Sequence, residues 1–244
     1  MAVLMLAMQC FVLPIQAQLN GKFSVSSSKQ VRFSKGNLVY NCSSKTFSFA
    51  TTQYAVIGTS NSTNIANKSG SIDLFGWGTS GYNNCMPYET SLSVVYGGGG
   101  SSITGTQYDW GVKNFSGYRT LTNDEWGYLL SSRSNALALK APATVNGVCG
   151  WILLPDNWSK PSSITFKSYA DGAKTYSSNS YTTSQFSTME SAGAVFLPAA
   201  GWRYSSGGLG VSANVTSYVN SQGYYWTANS GTALNFMYNY CVSG

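Results

Sequence analysis

The chain has 244 residues and a formal net charge of +6, and 43% of its residues are hydrophobic, enough to build a core. Charged residues make up only 9%, against about 25% in ordinary soluble domains. Lys22, Lys29, Arg32 and Lys35 form the one local cluster of cations and read as a solvated strand face, so the basic stripe that nucleic-acid binding needs is excluded.

Residues 3–15 are nearly continuous apolar sequence, broken by Gln9 and followed by Gln16-Ala17-Gln18. That run is too short to span a bilayer and ends in small and polar residues. Residues 1–18 are therefore expected to be a secretory signal cleaved near Ala17, and residues 19–244 a single domain with no transmembrane segment. Cys42, Cys85, Cys149 and Cys241 remain. Four cysteines permit three pairings, the sequence chooses none of them, and unpaired thiols fit equally well.

Residues 23–49 read as a meander. Phe23-Ser24-Val25, Val31-Arg32-Phe33, residues 38–40 and residues 46–49 alternate apolar and polar side chains. Lys35-Gly36-Asn37 and Asn41-Cys42-Ser43-Ser44 supply the turns. Residues 59–70 read as polar loop, and residues 72–84 interleave aromatic rings with glycine to pin a long loop on the core. Thr122 followed by Glu125 is a capping box, and Trp126, Leu129 and Leu130 give the helix after it one apolar face, out to about Ser132. Asn146-Gly147 between apolar runs predicts a hairpin. Thr182 and Gln185 form a second capping box ahead of Phe186 and Met189. Residues 194–203 enter the core and leave into a glycine-rich loop, 205–210, and residues 223–228 and 233–242 are strand-like. The whole reads as one α+β domain of short strands and long loops with two short helices.

Enzyme chemistry is poorly supplied. Without histidine, Ser-His and Cys-His nucleophile activation are excluded. Of eight acidic residues, Asp124 and Glu125 serve the helix start, while Asp73, Asp109 and Asp156 lie beside Trp or Phe as loop anchors rather than as paired carboxylates. Zinc lacks its usual ligands, and one lone acid in Asp156-Asn157-Trp158 is too little for calcium. The expectation is a non-enzyme with no cofactor and no metal.

The segment Arg119-Thr120-Leu121-Thr122-Asn123-Asp124-Glu125-Trp126 resembles a helix of the formylglycine-generating-enzyme branch of the C-type-lectin-like fold. In chain order, Gly21-Lys22-Phe23-Ser24-Val25, residues 31–38, residues 72–81, Ile152-Leu153-Leu154-Pro155-Asp156, residues 195–203 and Gly223-Tyr224-Tyr225-Trp226-Thr227 are similar to secreted proteins of gut Bacteroidetes, the fibrobacter major paralogous domain group. Some members are variable proteins of diversity-generating retroelements, whose variable positions sit in the C-terminal part. The resemblance implies a C-type-lectin-like fold on nearly the whole mature chain. The active-site cysteine pair of the enzyme branch has no counterpart at a matching position. Members usually continue past the strand at 233–240 to a further strand; this chain stops at Gly244, so the resemblance implies either a truncated gene or a domain that lacks its final strand.

Binding is better supplied, because the C-terminal third is dense in Tyr, Asn and Ser, the residue set of adaptable recognition surfaces. Strand alternation sends Leu234 and Phe236 inward and Asn235 outward, with Trp226 expected in the core and Tyr225 facing out. Arg203, Tyr204, Tyr225, Asn229, Ser230, Asn235, Tyr238 and Tyr240 are expected to share one ligand-binding face. The expected partner is a protein or glycan on another cell or a phage, met at the cell surface or after secretion. An enzyme or degenerate enzyme related to formylglycine-generating enzymes, and a structural surface component, are the alternatives.

Overall fold

The structure is a computed structural model that describes residues 18–89, 99–204 and 215–243, without the side chains of Tyr204 and Val215. The expected signal, apart from Gln18, and the 205–210 loop lie outside the described residues.

Strand β1 (Phe23–Ser24) pairs antiparallel with β2 (Gln30–Val31), and β3 (Leu38–Asn41) pairs with β4 (Thr46–Phe49), Leu38 facing Phe49. The expected meander is thus two separate pairs. The second turn closes because Asn41 Oδ1 accepts from the amides of Ser43 and Ser44, and Lys45 takes φ +57°. Residues 59–70 are not a loop: Ser60–Asn67 form helix α1, which leads into β5 (Ser71–Ile72) beside β3. This helix buries Ile65 and the polar Asn61, so it lacks an apolar stripe. The Asn61 amide donates to the Gly58 carbonyl and to Asp73, and its oxygen accepts from the Asp73 amide.

Helix α2 (Trp110–Asn114), also unforeseen, is a single turn capped by Asp109, whose carboxylate accepts from the Gly111 amide at 2.9 Å. Helix α3 (Asn123–Gly127) carries the expected capping box. The Glu125 amide donates to Thr122 Oγ1 at 3.2 Å, and the Thr122 amide donates to Glu125 Oε2 at 3.0 Å. A wider π turn follows over Tyr128–Ser132, closed by Arg133 N donating to the Tyr128 carbonyl. It rotates Leu129 and Leu130 into the core beside Trp126.

Strands β6 (Lys140–Val145) and β7 (Val148–Leu153) form the expected hairpin, with Asn146 at φ +50° and Gly147 at φ +79° as a type I′ turn requires. Strand β8 (Ser180–Tyr181) adds parallel to β6. Helix α4 (Thr183–Ser191) starts on the Thr182–Gln185 capping box, and β9 (Val195–Pro198) adds antiparallel to β7, giving the sheet order β8-β6-β7-β9. Alternation along β7 divides the core. Trp151 and Leu153 pack towards α3, whereas Ile152 packs with Phe186 and Met189 of α4.

Strand β10 (Trp202–Tyr204) pairs with β11 (Val215–Ser217), and β12 (Gly223–Trp226), β13 (Ala233–Met237) and β14 (Tyr240–Ser243) make an antiparallel sheet. The stretch read as one strand from Ala233 is therefore a hairpin, turning at Tyr238 and Asn239. Leu234, Phe236 and Cys241 close the core over α3. The molecule is α+β, mostly short antiparallel strands with four short α-helices among the described residues. No helix among them is long and apolar enough to cross a membrane.

Candidate functional site

The β12–β13 register fixes which C-terminal side chains face together. Gly223 lies opposite Phe236 and Tyr225 opposite Leu234, so these four share the core face. Tyr225 stacks on Phe236 at 6.0 Å, donates its hydroxyl to the Pro198 carbonyl at 3.0 Å and accepts from Asn37 at 3.2 Å. Burial pushes its phenol well above the ordinary tyrosine range, against the opposing Asn37 hydrogen bond. Tyr225 therefore points inward and Trp226 outward, the reverse of the expectation. Sequence alone does not reveal that Gly223 sits under the Phe236 ring, and this sets the alternation: a Cβ there would collide with that ring.

The opposite face of the sheet carries Tyr224, Trp226, Asn235, Met237, Tyr240 and Val242. Trp226 and Val242 are 39% and 53% exposed, yet Trp226 is held in place, donating its indole N–H to the Phe75 carbonyl at 2.8 Å. Tyr240 donates to Asn235 Oδ1 at 3.4 Å. Beyond Tyr224, Trp202 lies at 5.8 Å and stacks in turn on Tyr218, which is 54% exposed. The result is a face of fixed rings interspersed with amides.

The other expected site residues divide. Asn235 and Tyr240 belong to this outer face, and Tyr238 is 46% exposed at the hairpin tip. Ser230 is exposed at the opposite end of β13, its amide donating to the Ser101 carbonyl. Asn229 is structural, its Oδ1 accepting the otherwise orphaned Asn123 amide of α3 at 2.9 Å. Arg203 is half-buried and directs its guanidinium at the Glu89 carbonyl, at 3.4 and 3.5 Å. The Tyr204 side chain lies outside the described residues. Trp202, Tyr218, Tyr224 and Trp226 were absent from the expected set. Their alternation becomes legible only once β12 is registered on β13.

Beside β12 the packing leaves a cavity of about 720 Å³. Phe49 stacks on Phe115 at 4.6 Å in its wall, with Tyr118 at 5.1 Å; Phe33 lies 5.7 Å from Trp126, and Phe75 lies 6.4 Å from Trp110. Arg32, Arg119, Arg203 and Asp73 bring charge to the lining. Burial pushes the Asp73 carboxyl up, against hydrogen bonds from the Ile57 amide and Asn61.

The carboxylates expected to be loop anchors are engaged as such. Asp109 caps α2 and accepts from Thr120; Asp156 accepts from Ser24, Gln30 and Arg133. Among the described residues, no three of His, Cys, Asp and Glu come together. Cys42, Cys149 and Cys241 carry free thiols, and burial pushes the Cys241 thiol up to about 12. Comparison with known protein families, curated proteins and solved structures returns no match for this chain.

Proposed function

We propose that this chain is a ligand-binding protein of the C-type-lectin-like class that acts, without catalysis, at the cell surface or after secretion. The outer face of β12–β14 with its Trp202–Tyr218 extension is its recognition surface. The observation that carries the reading is the exposed yet fixed aromatic set on that face. Trp226 is pinned through Phe75, Tyr240 leans on Asn235, and Tyr218 stacks on Trp202. Rings held this way contribute large contact area at little entropic cost, and neighbouring amides supply hydrogen bonds. A protein or glycan on another cell or a phage fits such a surface. The Bacteroidetes resemblance adds diversification by a retroelement, for which a reverse-transcriptase gene beside a near-repeat of this gene's 3′ end is the genomic mark.

The test uses purified full-length protein on a printed glycan array and on intact bacterial cells. Wild-type protein should bind, and a Tyr218→Ala, Trp226→Ala, Tyr240→Ala triple variant with unchanged circular dichroism should not. Equal binding by the folded triple variant, or no wild-type binding on either support, would overturn the assignment.

A further inference from the structure

Three rings belong both to the recognition surface and to the cavity beside β12. Trp202, Tyr224 and Trp226 stand on the outer face and its extension, and they also line the cavity of about 720 Å³. The surface therefore runs into a hollow of ligand-site size, since such pockets span roughly 300–1,000 Å³. Rings make much of the wall: Phe49 stacks on Phe115, and Phe75 tilts against Trp110. Phe33, Phe49, Phe75 and Phe115 are only half-buried. Apolar side chains gathered half-exposed around one hollow mark a contact site.

Most polar side chains on the lining are already committed to the fold. Asn37 holds the Tyr225 hydroxyl, and Thr120 Oγ1 donates to Asp109. Gln53 donates to Glu190 and to the Ala194 carbonyl and accepts from the Phe196 amide. Asp73 accepts from the Ile57 amide and from Asn61. A sugar ring taken into such a hollow would leave hydroxyls stripped of water and unmatched, which is costly. An aromatic side chain needs only ring faces and edges in offset or edge-on contact.

Charge narrows the occupant further. Among the described residues the lining carries Arg32, Arg119 and Arg203 against the single carboxylate of Asp73. Glu125 neutralises Arg119, whereas Arg32 is exposed and directs its guanidinium at the Leu19 and Asn20 carbonyls. With a net charge of +6 on the chain, acidic neighbours on the entering segment are favoured.

We propose that the recognition surface binds a protein partner by taking one of its aromatic side chains, flanked by acidic residues, into this cavity. Protein rather than glycan as the occupant rests on the assignment of the β12–β14 face as a recognition surface.

The probe is the peptide acetyl-Gly-Asp-Phe-Glu-Gly-amide, titrated into full-length protein by ligand-observed NMR and by indole fluorescence, for which Trp126, Trp202 and Trp226 on the lining are the reporters. One control peptide has Ala in place of Phe, and another has Lys in place of both acids. The Phe peptide should bind with Kd below about 1 mM. The Ala peptide should bind at least about tenfold more weakly, and the Lys peptide about threefold more weakly. Phe115→Ala, which removes a wall ring outside the recognition surface, should weaken Phe-peptide binding about fivefold. Should Phe115→Ala not fold, the comparison of peptides decides alone. No binding of the Phe peptide, equal binding of either control peptide, or a folded Phe115→Ala variant that binds like wild type would each overturn the acid-flanked aromatic occupant. Glycan binding that the surface triple variant abolishes, with no peptide binding, would overturn it and leave the recognition surface standing. Cell or glycan binding that the folded triple variant retains would sink both.

Discussion

The Glu125 carboxylate accepts from the Thr122 amide and holds the Arg119 guanidinium through both oxygens, at 2.5 and 2.8 Å. Burial opposes its ionisation, but the Arg119 hydrogen bonds and charge, with the Thr122 amide, outweigh it and hold the carboxyl below the usual range. A carboxyl whose folded pKa is depressed adds stability above its unfolded value, about 4.3, and loses it as pH falls through the folded value. One residue on, Trp126 is buried against Phe33 and the core. These neighbours predict separable effects in urea melts at neutral pH. Thr122→Ala removes one cap acceptor and should cost about 1 kcal/mol. Trp126→Ala opens a void and should cost about 3–5 kcal/mol. If Trp126→Ala melts no earlier than Thr122→Ala, the core placement of Trp126 is wrong.

At the scale of elements, the C-terminal sheet depends on a missing side chain. Gly223 on β12 lies opposite Phe236 on β13, and a Cβ at 223 would run into the Phe236 ring. Gly223→Ala should therefore push Phe236 off α3 and cost about 1–3 kcal/mol, as overpacking does. Its loss should concentrate in β12–β14, so hydrogen exchange ought to quicken there while β6 and β7 stay protected. Uniform acceleration across both sheets would rule out this local account. The same glycine shows where sequence reading stops. Both capping boxes and the Asn146-Gly147 hairpin were legible because their signals lie within a few residues of one another. Helix α1 was not, because a buried Asn61 bound to Asp73 replaces the apolar stripe. Helix α2 is one turn long, and its Asp109 cap sits in aromatic loop sequence. The inward turn of Tyr225 and outward turn of Trp226 depend on β12–β13 register and on the Asn37 and Pro198 partners of Tyr225. Asn37 is 188 positions away. Of the expected binding face, Asn235 faces outward as alternation from Leu234 and Phe236 requires, Tyr240 joins it only because the chain turns at Tyr238 and Asn239, and Asn229 is drawn into the anchoring of α3.

Across the whole molecule, a few ionisable groups tie distant segments together and set the pH limits of the fold. Asp156 joins β1 and β2 to Arg133 beyond α3. Burial opposes its ionisation, but Ser24, Arg133 and Gln30 overcome that and lower its pKa, so its contribution, like that of Glu125, is lost in acid. Asp73 runs the other way: its raised carboxyl adds stability below its unfolded value and loses it as pH climbs through the folded one. The alkaline limit comes from buried tyrosines. Burial raises Tyr40 and Tyr181 to about 12 and pushes Tyr176 and Tyr225 up as well. A phenol with a raised folded pKa stabilises fully below its unfolded value, about 10, and that stability drains away as pH rises through the folded value. These four hydroxyls lie in different parts of the fold: Tyr40 in the β3 cluster, Tyr181 beside α4, and Tyr176 and Tyr225 against the central core. Their ionisation should therefore arrive with cooperative unfolding rather than before it. Phenolate absorbance followed together with near-ultraviolet circular dichroism should show the buried fraction ionising only as the tertiary signal collapses, above pH about 10. Full phenolate absorbance with an intact tertiary signal would mean that these hydroxyls are reached by water in the folded protein, and the alkaline limit would have to come from other groups.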